Sequence, residues 1–183
     1  LRLHREKGAY LIPDIALSVR GRIPVRFAVV GDGPLRPAIA RRIGDAGLQD
    51  DVILEGWRYD LDEVYRRTDV LLLPSEAASF PQVALDALSY GIPVVATSVG
   101  GVPELVEHGI EGLLVATRTP SAYADAVVKL AEDRALYATM SAHARRKAAM
   151  FSMDRMIAGY DMLYRTLLAA RRADTGSGRR CQV

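Results

Sequence analysis

Asp69 to Thr97 reads DVLLLPSEAASFPQVALDALSYGIPVVAT. Residues 69–74 and 92–97 are short, almost wholly apolar runs, and 82–90 between them has the length and patterning of an amphipathic helix. A strand, a crossover helix and a second strand account for all three. Pro81 opens the helix and Gly91 closes it, as expected at the two ends. The pattern recurs along the chain. VRFAVVG (25–31), DVILEG (51–56) and GLLVA (112–116) read as strands, while 35–46, 61–67 and 103–107 read as crossover helices. Strands apolar at nearly every position are buried on both faces, which is the habit of parallel sheets. The predicted fold class is therefore α/β, a doubly wound parallel sheet. Three helical segments without an intervening strand follow at 120–132, 134–148 and 153–170. One domain over 1–172 and a disordered polar tail over 173–183 are expected.

With 183 residues, half of them apolar, the chain has material for one ordinary core. The formal charge is +2, but four arginines (171, 172, 179, 180) against Asp174 give the last stretch +3, leaving −1 for the rest. A near-neutral body argues against a nucleic-acid partner. The single cysteine, Cys181, excludes a disulfide framework and a Cys-based metal site, and it fits a reducing cytoplasm. There is no apolar run of about 20 residues for a bilayer span, and no secretory signal opens the chain. Because it begins at Leu1, a fragment is expected.

Sheets of this kind bind ligands at the carboxyl ends of their strands. VVGDGPLRPAIA offers Gly31 and Gly33, but Arg36 stands where a dinucleotide fingerprint needs its third glycine, and Pro34 removes an amide. A tight turn around Asp32, with Pro34 starting the helix, is the expectation. In EGWRYD, Trp57 follows Gly56; it is either a core contact or a wall beside a nucleobase, with Glu55 and Arg58 at the rim of the latter. A helix starting near Pro81 leaves the amides of Gln82 to Ala84 unpaired and directs its positive end at whatever lies above, an anion site with Ser79 as cap or donor. Asp86, further along, would repel a phosphate, so it either accepts from a ribose diol or is an exposed helix residue. Gly100 and Gly101 permit close backbone approach to a ligand or simply make a turn. Arg2, His4, Arg5 and Lys7 either meet a diphosphate at the same edge or form a solvated run.

RLHREKG (2–8), VVGDGP (29–34), VILEGW (52–57), TDVLLLPS (68–75) and the run from Phe80 to Val115 follow the order and spacing of a known family. Together they resemble the C-terminal, donor-binding domain of GT-B-fold retaining glycosyltransferases of the large family 4 group. FSMDRMIAGYDMLYRTLL (151–168) looks like that group's last helix. The resemblance implies that Arg2 and Lys7 grip a donor diphosphate, that the backbone around Phe80, Pro81, Gln82 and Val83, with its available amides, holds the distal phosphate and sugar, and that Asp86 reads the ribose. Gly56, Trp57 and Arg58 are then base-proximal, and Glu76, Ala78 and Ser79 sugar-proximal. The family usually carries glutamate where Ala78 stands, so Glu76 is a candidate substitute. The implied partner is a nucleotide-sugar donor, with no cofactor and no metal; the acceptor, and any membrane contact, belong to an N-terminal domain outside this sequence. The alternative is a catalytically silent nucleotide-binding or assembly module. Two further expectations concern the edges: the strand that precedes Arg2 in the family and fills the middle of its sheet is either lost or replaced in its slot by something else, and Met153, Met156, Ile157, Tyr160, Leu163, Tyr164 and Leu167 form an apolar stripe suited to self-association.

Overall fold

The structure, a computed structural model, describes residues 2–176, with side chains as far as Arg171. Two compact units divide the chain between Ala148 and Ala149. The first contains α1 (Ile12–Val19), β1 (Phe27–Val30), α2 (Arg36–Asp45), β2 (Val52–Gly56), α3 (Leu61–Arg66), β3 (Leu71–Leu73), α4 (Gln82–Ser89), β4 (Val94–Thr97), α5 (Val102–Leu105), β5 (Gly112–Val115), α6 (Pro120–Glu132) and α7 (Arg134–Ala149). All five predicted strands are present, each shorter than its apolar run. The α/β class with parallel strands holds. Pro34 lies before α2 rather than starting it; Pro37 is the proline of that helix's first turn.

The strands form two parallel ladders, β1–β2 and β3–β4–β5. Phe27 pairs with Val52, Leu71 with Val94 and Val94 with Gly112. No described strand joins the two ladders. Side chains connect them instead: Phe27 of β1 packs against the cluster that holds Val95 of β4 and Leu113 of β5. At the carboxyl end of β1 the amide of Leu3 donates to the Asp32 carbonyl at 2.9 Å, and the Leu3 side chain is fully buried.

Burial on both faces is correct for β4, all of whose residues are buried, but not for the first ladder. Ala28 and Ile53 are exposed, because α1 and α2 cover only the face that carries Val29 and Val52. An apolar strand sequence records what a face tolerates, not whether a second layer exists to cover it.

Beneath β4, the hydroxyls of Thr97 and Tyr123 meet at 2.7 Å with both residues buried. Tyr123→Phe should cost about 1–2 kcal/mol, because the Thr97 hydroxyl loses its partner where water cannot replace it. Thermal unfolding checks this; an unchanged midpoint would mean that water reaches Thr97.

The second unit starts at the last residue of α7, and its described part is dominated by α8 (Met153–Gly176). Tyr160 and Tyr164 stack one turn apart, with ring centroids 6.1 Å apart. The helix runs four residues into the stretch expected as a disordered tail; the remainder, 177–183, with Cys181, lies outside the described residues.

Candidate functional site

Two adjoining cavities open at the carboxyl ends of the strands. The larger, about 440 Å3, is lined by Glu6, Lys7, Glu76, Ala77, Ala78, Ser79, Val99 and Gly100. The smaller, about 210 Å3, is lined by residues of the same loop and the start of α4, including Phe80, Pro81, Gln82 and Val83. Lys7, Ala78 and Ser79 belong to both, so they form the shared wall.

Local chain geometry builds this wall. Arg5–Lys7 is a single 3-10 turn that ends on Gly8 in the left-handed region, φ 68°. The amide of Glu76 donates to the carbonyl of Glu6 at 2.8 Å, which fastens the 74–80 loop to that turn. From the other side, Gly101 donates its amide to the Ala78 carbonyl at 3.1 Å. Side chains on Gly100 and Gly101 would overlap the carbonyl oxygens of Ala78 and Ser79. The paired glycines therefore serve a close approach to this loop's backbone, and Gly100 also lines the larger cavity.

At α4 the cap is Pro81, with no side-chain hydrogen bond, so Ser79 is not the cap expected from its residue type. The Ala84 amide is spent on the Pro81 carbonyl at 2.8 Å. That leaves the amides of Gln82 and Val83 without an acceptor among the described residues, one fewer than the sequence suggested. Both residues face the smaller cavity. An anion there meets two amides and the helix dipole.

Asp86 is half-buried and lines neither cavity. Gln82 Nε2 donates to one of its oxygens at 3.1 Å, and the Tyr65 hydroxyl reaches the other at 3.4 Å. Burial, followed by the Asp86 charge, pushes the Tyr65 phenol well above its ordinary range, so Tyr65 remains a donor to Asp86. The carboxylate is oriented and keeps lone pairs for a diol.

Some predicted residues stand apart from the cavities. Arg2 pairs through its backbone with Asp32 and lines neither. Gly56 ends β2, and Trp57 beyond it is 60 % exposed, edge-on to Tyr59 at 6.4 Å, so the core reading of the tryptophan fails. Arg58 is held by Glu63 at 2.9 Å and Glu55 by Arg67 at 2.7 Å. Asp32 accepts from the Gly33 amide at 2.7 Å, in a turn whose glycine packs on Leu3.

Two residues that sequence reasoning missed hold Glu76 in place, although neither lines a cavity itself. Tyr10 donates to Glu76 Oε1 at 2.9 Å, and an Arg118 nitrogen lies 3.3 Å from the same oxygen. Arg118 also donates to the Pro74 carbonyl at 3.2 Å and to the Tyr10 hydroxyl at 3.3 Å. It follows β5, where the carboxyl-end rule would have directed attention to 116–119. The Tyr10 hydrogen bond, then the Arg118 and Arg5 charges, hold the Glu76 carboxyl below the ordinary carboxylate range. Among the described residues no three His, Cys, Asp or Glu side chains come together as a metal site, and no helix is long and apolar enough to cross a membrane.

Parallel strands and crossover helices, with a helix N-terminus and a basic turn at the strands' carboxyl ends, define a Rossmann-like type of domain. The chain belongs to the glycosyl transferases of group 1, whose family model matches residues 1–133. It is 30% identical to N-acetyl-alpha-D-glucosaminyl L-malate synthase of Bacillus anthracis, over 80% of this chain and 39% of that protein. It is 43% identical to D-inositol 3-phosphate glycosyltransferase of Actinosynnema mirum, over 84% of this chain and 37% of that one. Among solved structures, Anabaena Alr3699/HepE in complex with UDP superposes with a TM-score of 0.80 at 28% identity, covering 92% of this chain and 47% of that chain. The chain thus spans less than half the length of each of these relatives.

Proposed function

We propose that the chain binds the nucleotide-diphosphate sugar donor of a retaining glycosyltransferase. Joined to an acceptor-binding domain, it would transfer the sugar with its anomeric configuration kept; alone, it binds donor without turnover. One observation carries this reading: Lys7 lines two adjoining cavities, one holding the unpaired amides of Gln82 and Val83, the other the clamped carboxylate of Glu76. Phosphate fits the first environment and sugar hydroxyls the second. Arg2 and Lys7, with the backbone of Phe80 to Val83, are assigned to the diphosphate, Asp86 to the ribose, and Gly56, Trp57 and Arg58 to the base. Glu76, Ala78 and Ser79 are assigned to the sugar. When the bond from the anomeric carbon to the distal phosphate breaks, negative charge gathers on the phosphate, and the cations and amides stabilise it there. The reading asks for no metal or cofactor. UDP, the nucleotide bound by the Anabaena protein, is the first ligand to try.

Ala78, at the position where the resembled family carries glutamate, favours the silent module; that reading predicts nucleotide binding to which a sugar adds nothing. Calorimetry with UDP, GDP and ADP, alone and as their sugars, separates the two. The ribose assignment has its own test. Asp86→Asn keeps one acceptor and loses the charge, so UDP should bind more weakly by about 1 kcal/mol. The 2′,3′-dideoxy nucleotide, which lacks the diol, should bind parent and variant alike. If protein and ligand changes add within about 0.5 kcal/mol, Asp86 does not touch the ribose.

A further inference from the structure

Glu76 lines the larger cavity with only one of its oxygens engaged. Oε1 accepts from Tyr10 at 2.9 Å, and Arg118 and Arg5 nitrogens lie 3.3 and 4.0 Å from it. Oε2 accepts no hydrogen bond among the described residues. The main chain of Glu76 is fixed on Glu6, and Arg118 is fixed in turn on the Pro74 carbonyl. Stability does not account for the cluster: the Glu76 and Arg118 side chains are 34% and 25% exposed, and an ion pair of that kind contributes little. What the arrangement achieves is orientation. A long, rotamer-rich carboxylate is held in one place before any ligand arrives, which removes part of the ordering cost of binding.

A carboxylate held ionised is an acceptor only: it suits hydroxyls and repels an anion. Ala78 beside it has no polar side chain and leaves the acceptor role to Glu76. We propose that Glu76, positioned by Tyr10 and Arg118, determines which sugar the donor carries, accepting from the hydroxyls of a neutral hexose and rejecting a sugar that bears a carboxylate. This rests on the donor-binding reading above. It adds Tyr10 and Arg118 as positioning residues and a charge criterion for the substrate.

The test titrates the chain, its Glu76→Gln variant and its Tyr10→Phe variant with UDP, UDP-glucose and UDP-glucuronate. The parent should bind UDP-glucose at least about tenfold more tightly than UDP-glucuronate, the scale set by an unpaired or repelled polar group in a site. Glu76→Gln should leave UDP affinity within about twofold, weaken UDP-glucose roughly three- to tenfold, and bring the two sugars within about threefold of each other. Tyr10→Phe keeps the aromatic ring and frees the carboxylate, so it should shift the sugar ratio the same way by a smaller factor, again with UDP unchanged. If GDP is the nucleotide bound, GDP-mannose and GDP-mannuronate give the same comparison. An unchanged sugar ratio in Glu76→Gln, with nucleotide affinity intact, overturns the proposal and leaves the donor reading standing. Absence of nucleotide binding in the parent overturns both.

Discussion

A chain carrying Gly100→Ala is expected to lose nucleoside-diphosphate binding and to melt at a markedly lower temperature. Gly100 sits at φ 53°, and an added methyl group would overlap the Ala78 carbonyl oxygen. The conformational strain costs about 1–3 kcal/mol. Displacing a backbone carbonyl in a packed region costs a further 1–3 kcal/mol or so. With both terms, a fall in Tm of roughly 4–24 °C follows for a domain of this size. Gly21→Ala separates the terms: its φ is 80°, but nothing lies within 4 Å of an added Cβ, so only strain applies. The ligand readout is more specific than the melting point, because the displaced carbonyl belongs to the wall shared by the two cavities. If Gly100→Ala matched Gly21→Ala in Tm and bound nucleotide normally, the close packing of the two loops would be wrong.

Removing the cation at the shared wall is expected to have the largest effect on affinity without unfolding the protein. Lys7→Ala should weaken nucleoside-diphosphate binding by about 1.5–3 kcal/mol, roughly 10- to 150-fold, the range for hydrogen bonds to charged groups. The Lys7 side chain lies at the surface of both cavities and holds no core together, so the variant's Tm should match the parent's. Arg2→Ala calibrates the result. The resemblance places Arg2 on the same diphosphate, whereas in the structure it lines neither cavity. An equal loss from Arg2→Ala would show that its exposed side chain reaches over the bound phosphates. A loss confined to Lys7 would leave one cation at the site. Calorimetry that finds Lys7→Ala unchanged removes the diphosphate from this wall.

Most of the chain's architecture was legible because burial dictates composition locally. Runs such as 92–97 have almost no polar residue to spare, and a strand is the one element short enough to use them. The strand ends and the cover over each face were not legible. Ile53 is as apolar as Val52, yet one is exposed and the other buried, and only the tertiary arrangement of α1 and α2 decides which. At the site, residues adjacent in sequence were easiest to find: Ala78, Ser79 and Phe80 to Val83 share one loop and one helix start, and they do meet at the cavities. Of the two roles that its type allowed Ser79, cap or donor, the structure gives the cap to Pro81, two residues on. Tyr10 carried no local signal at all, since its role comes from a hydroxyl meeting a carboxylate 66 positions away.

The Arg118 guanidinium joins segments far apart in the chain: Pro74 is 44 positions away and Tyr10 is 108. Contacts of such long range are made late in folding, since the entropy of closing the loops between them must be met before they return anything. The clamp on Glu76 can therefore exist only once the last strand has joined its ladder and the opening turn has docked. A partly folded chain has no such wall and no site for a donor sugar. Ligand binding then draws on the completed molecule alone, and saturating donor should slow its unfolding while leaving the early steps of its assembly untouched.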